Sequence, residues 1–234
     1  MYKGIVDKIK YNKFLRNLTL SLGYKFPNLI NWKKQLKNTH QFKDIKKINK
    51  KVLIAPVVTS DQILVSLHSI LGFSLQVKGA NVDYLTCNSS LSACTNAYSF
   101  AINNDEFIKK GPKQFCSSCY DCSYTLFAPL SSQILKLNKF IDENKLKEIN
   151  KIVQTTDVKD IIAYKLNNIN IGENTLAGTL RYFARGSLDF KNPHHTEILK
   201  KYFKSALITK FAMENLLNKK KYDIVVIDHG MYVP

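Results

Sequence analysis

The feature that most constrains the fold is a wholly apolar segment of strand length, residues 52–58. Its sequence, Val-Leu-Ile-Ala-Pro-Val-Val, is typical of a parallel strand whose two faces are both covered by helices. Thr59, Ser60 and Asp61 follow with side chains that can cap a helix, and a largely apolar helix is predicted from there to about Lys78. The sequence therefore predicts a core strand that leads directly into a covering helix.

Further strands of the same kind are predicted later in the chain. Residues 81–87, which follow Gly79, complete a β-α-β unit, whose crossover is right-handed in nearly all proteins. A long amphipathic helix predicted over 192–217 leads into another apolar, buried strand at 222–228. We therefore expect an α/β fold with a Rossmann-like parallel sheet covered by helices, in which the first and last strands lie side by side and point the same way.

The remaining segments differ in composition. Residues 1–50 are lysine-rich with apolar residues at helical spacing, which predicts a helical N-terminal extension before a sheet domain at 51–234. Residues 87–122, with many Ser, Asn and Cys, are predicted to form a long Cys-rich loop. Amphipathic patterns predict helices over 131–153 and 174–185.

The charge of the chain is strongly positive, with a formal net charge of +17 at pH 7. Such a charge suits an anionic membrane surface, a phosphorylated substrate or nucleic acid. Nucleic-acid binding is disfavoured because nearly all basic residues are lysines, whereas base and phosphate recognition relies on arginine. No apolar segment approaches the roughly 20 residues of a membrane-spanning helix, and no signal-peptide pattern begins the sequence. We expect a cytoplasmic protein that can associate peripherally with the inner membrane.

The cysteines lie close together, at Cys87, Cys94, Cys116, Cys119 and Cys122. The spacing of Cys116, Cys119 and Cys122 lets two thiolates reach one tetrahedral Zn²⁺, and Cys94 or Cys87 would complete the set of ligands. We therefore predict a structural zinc site at Cys94, Cys116, Cys119 and Cys122. The sequence leaves open that these residues are small buried hydrophobic side chains, free thiols or redox groups.

Several segments, in their order along the chain, carry a resemblance to a known family. They are residues 52–58, 82–87, 91–94, 116–119, 171–186 and 223–234. Together they resemble bacterial capsule and surface-polysaccharide glycosyltransferases of the GT-B type, from about residue 51 to the end. The chain departs from the family at Ala97, where the family has a further cysteine.

The resemblance implies two facing Rossmann-like domains. The first binds a glycan or lipid-linked acceptor, the second binds a nucleotide-activated sugar donor, and the enzyme builds cell-envelope polysaccharide. Only the first domain is expected here, and the nucleotide sugar is expected in the other, because no glycine-rich phosphate loop follows the first strand. Since few residues after 228 remain to cover the last strand, we expect the sheet domain to be incomplete at its C-terminus.

Candidate site residues lie where predicted strands end. His229, after the last strand, is predicted to be the catalytic base that takes a proton from the acceptor hydroxyl, with Gly230 beside it. Thr59, Ser60 and Asp61 are predicted to bind the acceptor at the same edge of the sheet. Other interpretations stay open: His229 orients the acceptor or is a turn histidine bonded to backbone, and the three hydrophilic residues only cap a helix.

Arg181 and Arg185 are two of the few arginines, and they lie four residues apart in a predicted helix. On one helix face they would grip a phosphate or carboxylate of an acidic acceptor. Glu173 is a further candidate for substrate binding. The alternatives are a salt-bridged helix face for the arginines and a helix-capping role for Glu173.

Two other functions fit the same sequence. The first is a metal-bound structural or nucleic-acid-binding module organised by the Cys-rich segment, for which oligonucleotide binding would fall steeply with salt. The second is a different Rossmann-type enzyme, which would bind a nucleotide in this chain.

Overall fold

A computed structural model describes residues 30–37, 48–59, 61–131 and 134–228 of the chain. Most of the predicted extension at 1–50 therefore lies outside the described residues, as do Ser60, His229 and Gly230. The chain divides into two compact units. The first comprises residues 1–86, 113–134 and 223–226, and the second comprises residues 87–112, 135–222 and 227–234.

Strands and helices alternate along the described residues. The strands are β1 (Lys51–Val57), β2 (Asn81–Thr86), β3 (Ile134–Lys136), β4 (Lys165–Leu166), β5 (Ile169–Asn170) and β6 (Ile224–Val226). The helices are α1 (Trp32–Lys37), α2 (Gln62–Val77), α3 (Asn104–Lys110), α4 (Lys113–Phe127), α5 (Glu143–Thr155), α6 (Val158–Ile161), α7 (Ile171–Phe183) and α8 (Pro193–Lys219). A short 3-10 helix spans Leu137–Phe140, and β4 and β5 form a small antiparallel hairpin.

The main sheet has four strands in the described residues, in the order β3-β2-β1-β6. β1 pairs in parallel with β2 on one side and with β6 on the other. On the β6 side, Val52 lies opposite Ile224 and Ile54 lies opposite Val226. The predicted α/β fold with a Rossmann-like parallel sheet is therefore confirmed, and so is the side-by-side, parallel placement of its first and last strands.

The apolar sequence of β1 is explained by burial on both of its faces. Ile54 and Tyr84 face α2 and α4 in a core that also contains Leu126 and Phe127. The Tyr84 and Phe127 rings stack with their centroids 4.4 Å apart. Leu53, on the opposite face of β1, is fully buried as well. A strand covered on both faces needs no polar alternation, which accounts for the uninterrupted run.

The last strand departs from its prediction. It spans only Ile224–Val226 rather than 222–228, and its side chains are largely exposed, with Ile224 50% accessible. The cause is its position, because β6 ends the described sheet and pairs there only with β1. Asp223 fixes the start of this strand, since its carboxylate accepts bonds from the Lys51 backbone N–H (2.8 Å) and the Lys50 ammonium (2.9 Å). These two donors lower the pKa of the Asp223 carboxyl.

The predicted Cys-rich loop at 87–122 is wrong from residue 104 onward. α3 begins there, capped by the Asn103 side chain, and α4 follows from Lys113. In α4 the residues Phe115, Ser118, Cys122 and Leu126 are buried, at spacings of three and four that match a helix. The predicted helix over 131–153 is also shorter, because β3 and the 3-10 helix precede α5.

The second unit is built on α8, the longest described helix. It starts as predicted, with Asn192 accepting a bond from the His194 N–H and Pro193 in the first turn. α7 packs against it so closely that a β carbon on Gly178 would lie 2.7 Å from the Tyr202 ring. The Tyr182 ring of α7 stacks on Phe107 at 4.7 Å. Burial raises the pKa of Tyr182 to about 12.

No helix in the described part of the chain combines the length and apolar character that crossing a bilayer requires.

Candidate functional site

The candidate site lies where the order of the sheet changes direction. From β1 the chain crosses over α2 to β2 on one side, whereas β6 joins β1 on the opposite side. In open α/β sheets, ligands bind at such a switch point, outside the carboxyl ends of the strands. The carboxyl end of β1 leads into residues 57–61, which we call the β1 loop. Ser60 of this loop lies outside the described residues.

The backbone of the β1 loop turns sharply at its first residue. Val57 has φ of 55°, in the left-handed region that a β-branched residue rarely adopts. The Val58 N–H donates to the Pro56 carbonyl at 2.6 Å, and the pairing of β1 with β2 shifts register between Ile54 and Val57. Such a conformation costs on the order of 1–3 kcal/mol and is concentrated at functional sites. This turn therefore indicates that the backbone at the end of β1 keeps an unfavourable conformation, as the backbone of functional sites often does.

Thr59 anchors the β1 loop to α4. Its side chain is only 1% exposed, and its hydroxyl donates to the Cys119 backbone carbonyl at 2.7 Å. The hydroxyl proton is thereby used inside the protein. Thr59 thus positions the loop, and its predicted contact with an acceptor stays a prediction.

Asp61 caps α2, as one of the two interpretations of the sequence proposed. Its Oδ1 accepts bonds from the Ile63 N–H (2.9 Å) and the Leu64 N–H (3.1 Å). The side chain is exposed. Because both capping bonds go to Oδ1, Oδ2 keeps the capacity to accept a bond from a ligand hydroxyl.

The cysteines of α4 lie one helical turn apart beside the β1 loop. Cys122 is buried in the core of the first unit, while Cys116 and Cys119 are half-buried, and none forms a disulfide. Cys94 belongs to the second unit, where its carbonyl accepts a bond from the Tyr202 hydroxyl. The described residues contain no group of three or more His, Cys, Asp or Glu side chains placed to share a metal ion. The zinc site stays a prediction.

The predicted arginine pair does not share a helix face. α7 ends at Phe183, and Ala184 follows in the left-handed conformation (φ 50°), so Arg185 lies beyond the helix. Arg181 donates to the Thr95 carbonyl and lies over the Tyr98 ring, 4.5 Å from its centroid. The shared-face prediction is therefore wrong, because the helix ends two residues earlier than predicted.

Glu173 lies in the first turn of α7 and is exposed. Its carboxylate accepts a bond from the Asn170 side chain at 2.8 Å. A carboxylate at a helix start is also favoured by the helix dipole. Glu173 bonds the side chain of the N-cap residue Asn170 rather than a backbone N–H, so of the helix-capping role only the favourable position toward the helix dipole is observed, and substrate binding stays a prediction.

Two features at the β1 loop could not be predicted from the sequence. The left-handed Val57 has no local signal, since Val is among the residues least suited to that conformation. Cys119 contributes a backbone carbonyl, which no side-chain pattern reveals. His229 and Gly230 lie outside the described residues, so their predicted roles rest on the sequence.

Neither a known protein family, nor a curated protein, nor a solved structure matches this chain.

Proposed function

We propose that this chain is the acceptor-binding part of a GT-B-type glycosyltransferase. The enzyme would transfer a sugar from a nucleotide-activated donor to a glycan or lipid-linked acceptor during assembly of cell-envelope polysaccharide. The observation that carries the proposal is the strand order β3-β2-β1-β6, whose switch point opens beside β1 and its loop. This order matches the first four strands of the doubly wound sheets that bind ligands at that position.

The β1 loop favours a sugar over a nucleotide as its ligand. Dinucleotide-binding folds use glycines after the first strand, so that a pyrophosphate can approach the backbone and the helix N-terminus. Here the residues are Val57, Val58 and Thr59, which carry side chains, and the Asp61 carboxylate already accepts bonds from two N–H groups in the first turn of α2. A carboxylate repels a phosphate but accepts bonds from sugar hydroxyls. The loop therefore suits the acceptor, and the donor would bind in the other domain of the enzyme.

The base in this proposal is His229. An imidazole titrates near neutral pH, which suits removal of the acceptor hydroxyl's proton as that oxygen attacks the anomeric carbon of the donor. The bond from that carbon to the nucleotide then breaks, and the nucleoside diphosphate leaves with the electron pair. The assignment rests on the sequence position of His229, three residues after the end of β6.

Acceptor binding provides the first test. Asp61→Asn keeps a good helix cap but removes the charge, so it should weaken binding of acceptor oligosaccharides about tenfold, the difference between a charged and a neutral hydrogen bond. Binding would be measured by titration calorimetry with a panel of capsular oligosaccharides and a prenyl-linked monosaccharide. UDP, used as the nucleotide probe, should not bind.

The matched control is Asp142→Asn. Asp142 caps α5 through one bond to the Lys145 N–H, in the second unit, so the same chemical change there should leave acceptor binding unaltered. If UDP bound this chain and the acceptors did not, a nucleotide-binding Rossmann-type enzyme would replace the present proposal. Binding of oligonucleotides with a steep salt dependence, without acceptor binding, would favour the nucleic-acid-binding module instead.

The second test concerns His229. In the complete enzyme His229→Ala should lower the turnover number by about 10²-fold or more, since a general base contributes about that much. Transfer of radiolabelled sugar to the acceptor would be measured at saturating donor. His194→Ala, which alters a half-buried histidine of α8 paired with Asp105, serves as the control and should leave turnover unchanged. Near wild-type turnover in His229→Ala would remove the histidine from the chemistry.

A further inference from the structure

One helix of the first unit carries an exposed apolar face. α2 buries Val65, Ser69 and Gly72 against the core. Four large apolar side chains on the outer side are exposed: Ile63 (71%), Leu67 (56%), Ile70 (43%) and Leu71 (39%). Their spacing of four, three and one places them on one side of the helix, and we call them the α2 apolar face.

This face is unusual for a helix that covers a sheet. Such helices normally turn charged or polar residues to the solvent. The sixteen residues of α2 contain no charged side chain at all. α4, which packs against the same core, also exposes two aromatic rings, Tyr120 and Tyr124, stacked 5.7 Å apart. Grouped exposed apolar side chains mark a surface that binds a protein, a ligand or a membrane. Tyrosine is enriched where proteins meet the bilayer surface.

The neighbouring sequence is strongly basic. Residues 1–50 contain thirteen of the 35 Lys and Arg residues but only two of the 18 Asp and Glu residues, so they contribute +11 of the net +17. Within this stretch α1 lies directly against α2. The Trp32 indole donates to the Ser69 hydroxyl at 3.0 Å, and its ring lies 4.8 Å from that of Phe73. Lys33 and Lys34 are exposed on α1, so positive charge is fixed beside the apolar helix.

We propose that the α2 apolar face docks the protein on an anionic lipid bilayer, with Lys33 and Lys34 of α1 binding the headgroups. The binding of a protein surface to a bilayer strengthens with the apolar area that enters the interface and with electrostatic attraction to anionic lipids. Each lysine near an anionic surface contributes about 1 kcal/mol. A continuous anionic surface complements a net +11 spread over fifty residues, whereas a protein partner would have to supply that charge in one place.

The position of the face has a consequence for the candidate site. Ile63, its most exposed member, lies two residues after Asp61 of the β1 loop. A protein docked through α2 therefore holds this loop close to the headgroup layer, where the sugar of a lipid-linked acceptor lies. The docking itself rests on exposure and charge, and it stands whether or not the chain takes part in sugar transfer.

Vesicle flotation tests the docking. The unaltered protein should bind vesicles containing phosphatidylglycerol, bind neutral phosphatidylcholine vesicles much less, and detach at high salt. The double variant Ile63→Ser/Leu67→Ser should lose at least about tenfold in partitioning, because each apolar side chain contributes more than 1 kcal/mol when it leaves water. Lys33→Glu/Lys34→Glu should lose a similar factor on anionic vesicles only.

Matched control variants distinguish binding through the α2 apolar face from non-specific hydrophobic or electrostatic binding to vesicles. Phe100→Ser/Ile169→Ser removes two exposed apolar side chains from the second unit, and Lys147→Glu/Lys151→Glu makes the same charge change there. Both controls should bind like the parent, and circular dichroism should show that all variants fold. Equal losses in test and control variants, or unaltered binding of Ile63→Ser/Leu67→Ser, would overturn the proposal. A dimer that this double variant dissociates, with no vesicle binding, would assign the face to a second copy instead.

Discussion

Replacing Trp32 with alanine is expected to lower the free energy of unfolding by about 3–5 kcal/mol, the usual cost of removing a large aromatic side chain from a core. Trp32 is only 6% exposed and joins the core of the first unit together with Val65 and Tyr84. The variant also leaves the Ser69 hydroxyl without its indole donor. Because Trp32 is the only tryptophan, urea unfolding should be followed by far-UV circular dichroism rather than by fluorescence.

Trp32→Phe is the matched control for this prediction. It keeps an aromatic ring against Phe73 and loses the bond to Ser69, so it should cost markedly less than the alanine variant, about 1–2 kcal/mol. A change below about 1 kcal/mol in Trp32→Ala would show that α1 is dispensable for the core. That outcome would also remove the fixed lysines from the proposed docking surface, because α1 holds Lys33 and Lys34 beside α2.

The parallel sheet can be predicted because the burial of each strand determines the residue types within that strand. A strand buried on both faces must be apolar at every position, and residues 52–58 show that pattern without interruption. The connection to the second strand could also be predicted, since a capped apolar helix ending near Gly79 leaves few arrangements other than a right-handed parallel crossover. The solvent exposure of β6 could not be predicted from the sequence, because whether a strand lies inside or at the end of a sheet depends on which strands pair beyond it.

The α4 helix was missed because its composition imitates a loop. Serines, cysteines and aspartate dominate residues 116–123, and these residues favour turns and caps through their own side-chain bonds. The helical signal was present in the spacing of Phe115, Cys122 and Leu126, but burial against β2 and α2 decides the outcome. The predicted end of α7, and with it the shared face of Arg181 and Arg185, was wrong for a related reason. Ala184 takes the left-handed conformation that ends the helix, a position where glycine is the usual signal.

The candidate site was located by sequence but not explained by it. The sequence predicts residues 59–61 at the carboxyl end of the first strand, and the structure puts Thr59 and Asp61 there. Their hydrogen bonds show that each residue has a structural role, since Thr59 holds α4 and Asp61 caps α2. Of these two side chains, Asp61 is the one that is exposed, and its second carboxylate oxygen keeps the capacity to accept a bond from a ligand. The Asp61→Asn test follows from that distinction, which residue types alone could not supply.

Gly172→Ala is expected to destabilise the second unit by about 3 kcal/mol, opposite in sign to what helix propensity predicts. Alanine inside a helix is favoured over glycine by up to about 1 kcal/mol. At Gly172, in the first turn of α7, an added β carbon would overlap the carbonyl oxygens of Ile161 and Ile162. These are backbone atoms, and Gly172 is held in place by its own N–H bond to the Tyr164 carbonyl at 2.9 Å. Relief therefore requires the backbone to shift, which costs more than the propensity gain.

Gly186→Ala separates that clash from the general effect of replacing a glycine. Gly186 is exposed, and nothing lies within 4 Å of the position of an added β carbon. This variant should be neutral, or more stable by a few tenths of a kcal/mol up to about 1 kcal/mol, because alanine restricts the unfolded chain. Thermal and urea unfolding of the two variants would show the contrast. If Gly172→Ala were as stable as Gly186→Ala, the close approach of α7 to the turn after α6 would be wrong, and with it the packing that sets where α7 begins.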